Sequence, residues 1–137
     1  MAVYLSTTPQ TLTNIGDAIR FTETGCRGGC CNIKHRANSS QVTIRNTGGC
    51  CSPSTYKVQF HGNVTNVQGQ ILLGIYLDGE LVPEALMAVA PVGTSFVTSL
   101  DSVVLVCTDC CCSHISVKTL TAGVTVNTAE IIVTKVG

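Results

Sequence analysis

Nine of the 137 residues are cysteine, and they fall in three groups: Cys26, Cys30 and Cys31; Cys50 and Cys51; and Cys107, Cys110, Cys111 and Cys112. Thiols this dense point to one of three chemistries, namely disulfides or cross-links between chains, metal ligation, or small apolar fillers. The spacings Cys26-x3-Cys30 and Cys107-x2-Cys110 match two knuckles of a tetrahedral zinc site. Adjacent cysteines are not a usual zinc pattern, however, and the residue after the second Cys of each knuckle is another Cys rather than the Gly such turns often use. Cross-linking explains an odd number of thiols more naturally, because an unpaired one can reach a neighbouring subunit. All nine are therefore disulfide or cross-link candidates, with Cys26, Cys30, Cys107 and Cys110 as the alternative zinc ligands, and no cofactor other than zinc is expected.

Catalytic patterns are missing from the sequence. There is no G-x-S-x-G elbow, phosphate loop or dinucleotide fingerprint. His35 and His114 lie near cysteines and His61 somewhat farther, so a Cys–His pair can be drawn, but His35 and His61 read as polar-face strand residues. Asp78, Glu80 and Glu84 cluster at a turn and read as a solvated hairpin tip rather than a calcium loop. No catalytic residue and no enzyme activity are expected. The sequons at Asn38 and Asn63 carry little meaning without a secretory signal.

The elements that must hold these residues are strands. Tyr56, Val58 and Phe60 alternate with Lys57, Gln59 and His61, the period of two of a strand with one dry face. From Ile71 to Leu77, Ile71, Leu73, Ile75 and Leu77 share one face while Leu72, Gly74 and Tyr76 share the other, so neither face reads as freely solvated. Such a strand needs its back covered by its own chain or by a second copy. Asp78-Gly79 supplies a hairpin turn. Further strands are expected from Ala18 to Thr24, with Ile19, Phe21 and Glu23 on one side, and at 33–37 and 41–46 around Asn38-Ser39-Ser40. Residues 81–90 read as a strand with irregular edges, 95–106 as a strand pair or one long bent strand, and 113–119, a continuation through Val124 and Val126, and a terminal strand from Ala129 to Val136 complete the set. All three cysteine groups fall in expected turns. Pairing of 33–46 as a hairpin would bring Cys30-Cys31 beside Cys50-Cys51, and all nine thiols would share one pole if the last turn lies at the same end. About eight to ten short strands with turns every eight to twelve residues predict an all-β antiparallel sandwich or jelly roll.

The length suits one domain, expected as an extended N-terminal arm over 1–17 followed by a jelly roll over 18–137. Only 12% of residues are charged, against roughly a quarter in ordinary soluble domains, and basic and acidic residues balance. No field exists to gather phosphates, so nucleic acid is not an expected partner. A weakly charged, β-branched surface suits contact with other protein. No stretch is long and apolar enough to span a membrane, and MAVYLSTTPQTL lacks the basic and apolar regions of a signal peptide, so synthesis in a cytoplasm without a signal peptide is expected.

The segments FTETG (21–25), KHR (34–36), VTIRN (42–46), YKVQFHGNVT (56–65), GIYLDGELVPEA (74–85), HISVKTLT (114–121) and AEIIVTKVG (129–137) together resemble small proteins encoded among virion genes of phages and prophages of Clostridia-like bacteria. Their domain is similar to the C1q and tumour-necrosis-factor jelly roll, also seen at the tips of spore-surface fibres. The resemblance covers about residues 18–137. It implies a homotrimer, with the strands at 71–77 and 131–136 near a threefold axis and Leu72, Gly74, Tyr76, Ile132, Thr134 and Val136 in its interface. Few aromatics and no collagen-like stretch set this chain apart from eukaryotic C1q, so no receptor-binding role is carried over. The expected function is a structural protein that decorates or cements a phage capsid or forms part of a virion fibre, partnered by itself and by a major capsid or other virion protein. The alternative is a disulfide-cross-linked subunit of an extracellular or spore appendage. The matching locations are the virion surface or, for the alternative, the extracellular or spore surface.

Overall fold

The computed structural model describes residues 2–27, 33–35, 38–45, 54–66, 70–89, 98–108 and 112–136. Twelve strands and one short 3-10 helix make up the described chain: β1 (Ala2–Ser6), β2 (Gln10–Leu12), β3 (Glu23–Arg27), β4 (Ile33–His35), β5 (Val42–Arg45), β6 (Ser54–Asn66), β7 (Ile71–Leu77), β8 (Glu80–Leu81), η1 (Pro83–Ala85), β9 (Met87–Val89), β10 (Thr98–Thr108), β11 (Cys112–Thr119) and β12 (Val124–Lys135). They form two antiparallel sheets. The first has the order β10-β6-β12-β1-β3, with β2 also on β12, and the second the order β4-β5-β11-β7-β8, with β9 also on β7. The architecture is the expected all-β sandwich of jelly-roll type.

Alternation decides which face is dry. In β6, Tyr56, Val58, Phe60 and Val64 are buried, and in β12 Val124, Val126, Ile131 and Val133 are buried. The second sheet answers with Val42, Ile44, Leu73, Ile75, Ile115 and Val117, all fully buried. Each Ile or Leu in this layer contributes about 1.5–3 kcal/mol of transfer free energy, which is what holds two otherwise open sheets together. Ile19 and Phe21 are fully buried as their spacing predicts. The ladder there begins later than the pattern suggests, however, because Ala18 makes only an isolated bridge to Lys118 and regular pairing starts at Glu23.

Several strands differ in extent from the reading of the sequence. The irregular strand at 81–90 is resolved into β8 and β9, both paired with β7. Pro83 opens the 3-10 turn between them, as a residue with no N–H to give a ladder does. At the turn before it, Asp78 and Gly79 both take positive φ, 52° and 86°, the backbone that Asp-Gly hairpins use. β12 is one strand rather than two, kinked by a register shift between Val126 and Thr128.

Residues 2–17 are not an arm outside the domain, which corrects that expectation. β1 inserts between β12 and β3, β2 continues along the same side of β12, and Ala2, Tyr4 and Leu12 are buried. Pro9 lies in the gap between the two strands, where no ladder N–H is asked of it.

Candidate functional site: the outer face of the first sheet

Residues that face away from the core on the first sheet form rows, because cross-strand partners share a face. One row is apolar apart from Gln59: Val103 opposes Gln59, Gln59 opposes Ile132 and Ile132 opposes Val3. A second row runs Asp101, His61, Glu130, Leu5 and Glu23 over five strands. On the other side of the apolar row, Leu105, Lys57 and Thr134 form a third. Val103 is 57% exposed and Leu105 60% exposed, unusual for aliphatic residues so close together on a strand surface. His61 Nδ1 contacts Asp101 Oδ1 across β6 and β10, and both side chains stay largely in solvent. A shallow hollow lies between the apolar and the acidic row, lined among others by His61, Asp101, Glu130, Val103 and Ile132.

The expected interface residues separate into two places. Ile132 and Thr134 lie on this outer face, and Val136 follows at its margin, 51% exposed. Leu72, Gly74 and Tyr76 lie on the outer face of β7, in the second sheet, on the opposite side of the sandwich. The two sets therefore face away from each other across the sandwich. The β7 face is also covered by its own chain: Leu81 fills the space beside Gly74 with Leu120 close by, Lys118 Nζ stands 5.1 Å from the Tyr76 ring centroid, and the Leu72 carbonyl accepts from the Leu120 N–H. Of the two covers the sequence allows for that strand, the chain itself supplies one.

The cysteine expectations change as well. Cys26, Cys107 and Cys112 lie in strands rather than turns, because the β10–β6 ladder runs on to Thr108 opposite Ser54 and β11 pairs from Cys112 opposite Arg45. Cys30, Cys31, Cys50, Cys51, Cys110 and Cys111 lie outside the described residues. Cys107 is a free, exposed thiol with its sulfur 3.7 Å from Thr55 Oγ1. The zinc quartet does not survive this placement. Cys26 is on β3 and Cys107 on β10, opposite edges of one sheet, which are roughly 19 Å apart along it at four strand spacings, whereas two sulfurs on one zinc are both about 2.3 Å from the metal. Among the described residues no group of three His, Cys, Asp or Glu side chains is placed to hold a metal ion. The strand ends nevertheless share a pole. β3 ends, β4 begins, β5 ends, β6 begins, β10 ends and β11 begins at the same end of the sandwich, so the cysteine-bearing connections 28–32, 46–53 and 109–111 each join strand ends there.

The histidines are engaged elsewhere. His35 Nε2 meets the Ser39 carbonyl at 2.8 Å with its ring 4.6 Å from that of Tyr4, and His114 Nδ1 is 3.1 Å from Thr43 Oγ1. Among the described residues none contacts a cysteine. Asp78, Glu80 and Glu84 are exposed at the β7–β8 end, where Asp78 Oδ1 accepts from the His114 N–H.

The described residues form a jelly-roll sandwich whose first sheet has a wide, partly apolar outer face. Its fold is similar to the globular domain of zebrafish complement 1qA, with a TM-score of 0.65 at 7% identity over 96% of this chain and 94% of that one. It is also similar to the PRD1 vertex protein P5, with a TM-score of 0.58 at 12% identity over 99% and 96% of the two chains. No family model and no curated protein matches the sequence.

Proposed function

We propose that the chain is a non-enzymatic structural protein that forms a homotrimer through the outer face of its first sheet and decorates or cements a phage capsid or builds part of a virion fibre, at the virion surface. The observation that carries this reading is the apolar row of Val3, Ile132 and Val103, with Leu105 beside it, on a face that no described segment covers. Ile132, Thr134 and Val136 belong to this interface and Leu72, Gly74 and Tyr76 do not. The likeness in fold to a vertex protein supports the assembly role. Native mass spectrometry tests it: the wild-type chain is expected as a trimer whose mass reductant does not change, and Leu105→Glu as a folded monomer. A monomeric wild type at micromolar concentration, with no affinity for particles, refutes the reading.

A second reading, a disulfide-linked subunit of an extracellular or spore appendage, draws on the shared pole of the cysteine-bearing connections and on exposed Cys107. Multimers that collapse to single chains on reduction support it over the first.

A further inference from the structure

The associating face proposed above carries more titratable groups than such a face needs, and they are aligned. Asp101 of β10, His61 of β6, Glu130 of β12 and, past Leu5 of β1, Glu23 of β3 occupy one cross-strand row. The base on the same face of β6 is Lys57, four residues from His61 and separated from it by Gln59 of the apolar row. The row thus holds three carboxylates and one imidazole, and its charge is set by whether His61 is protonated.

We infer that self-association through this face is proton-gated, with His61 as the switch; the inference rests on the trimer interface proposed above. Rotation about a symmetry axis preserves height along it, so a residue close to the axis meets its own copies in the neighbouring subunits. Three acidic rows are then brought together and partly dried. Like charges in that setting oppose assembly, and carboxylates that lose water need a positive partner. His61, already against Asp101 and opposite Glu130, supplies that charge only when protonated. Assembly therefore takes up protons and is stronger at mildly acidic pH. If half a proton is taken up per chain, linkage changes the trimerisation constant about thirty-fold per pH unit, and the concentration at half-assembly about five-fold.

The test is sedimentation of the full chain at about pH 5.5 and about pH 8, bracketing the histidine range, with folding checked by circular dichroism. The wild type is expected to assemble at about five-fold or more lower concentration at the acidic pH. His61→Gln is expected to lose that dependence, His114→Gln to keep it, and Glu130→Gln to assemble more tightly than wild type at the alkaline pH. Equal assembly of the wild type at both pH values, or a His61→Gln protein that keeps the whole shift, overturns the gate and leaves the interface standing. A chain that is monomeric at both pH values, with Glu130→Gln no different, removes the interface and the gate with it.

Discussion

Leu81 lies over Gly74 on the outer face of β7, its Cδ1 in the space that a Cβ on residue 74 would take. The absent side chain at 74 lets the β7–β8 hairpin fold back against its own strand, and so closes a face that sequence pattern alone leaves open to a second subunit.

The two close-packed glycines among the described residues are expected to respond differently to alanine. At Gly74 the obstacle is the end of a half-buried leucine that can swing aside, so Gly74→Ala is expected to cost about 1 kcal/mol or less. At Gly62 a Cβ would meet Phe60 Cζ at 2.8 Å, and that ring is locked in the core at 2% exposure. Gly62→Ala is expected to cost about 1–3 kcal/mol, as overpacking of a filled core does. Urea denaturation of the two variants ranks them, and a larger loss at Gly74 would show that the hairpin cannot yield.

Removal of residues 1–12 is expected to abolish cooperative unfolding. β1 bonds to β12 on one side and β3 on the other, so its loss opens two sheet edges and takes Tyr4 and Leu12 out of the core. A truncated chain that melts at the Tm of the full one would restore these residues to the status of an arm.

Tyr56 is fully buried, and its hydroxyl finds no hydrogen-bond partner among the described residues. An unpaired buried hydroxyl costs about 1–3 kcal/mol of desolvation. Tyr56→Phe keeps the ring and removes that cost, so thermal unfolding should show equal or higher stability. A drop of more than about 1 kcal/mol, the usual worth of one hydrogen bond, would reveal a partner for the hydroxyl.

The period-two pattern of β6, β7 and β11 was legible because burial on one face writes itself directly into residue order: Val58, Ile75 and Val117 are each fully buried where alternation puts them. The asymmetry of β1 shows the limit of that signal. Tyr4 and Ala2 are buried and Val3 and Leu5 half-buried, yet five residues followed by a Thr-Thr-Pro run look like a frayed end until β12 and β3 are known to flank them. Cys26 reads as a turn residue because Gly and Cys cluster around it, and Cys107 because it opens a run of four cysteines in six residues, while the ladders that extend through them are long-range pairings that no local window contains.

By itself, then, the order of apolar and polar residues determined that this chain makes strands and that two dry faces must meet. Only the tertiary structure decided which apolar faces are spent inside the chain and which remain. Leu72, Gly74 and Tyr76 are covered by Leu81, Leu120 and Lys118, and Val103 and Leu105 are left outside. It likewise decided that Asp101, His61 and Glu130 share a row and that Cys26 and Cys107 sit on opposite edges. The reason is physical: alternation fixes the face of a residue within its strand, but strand order and register fix its neighbours, and these arise from contacts between residues far apart in sequence.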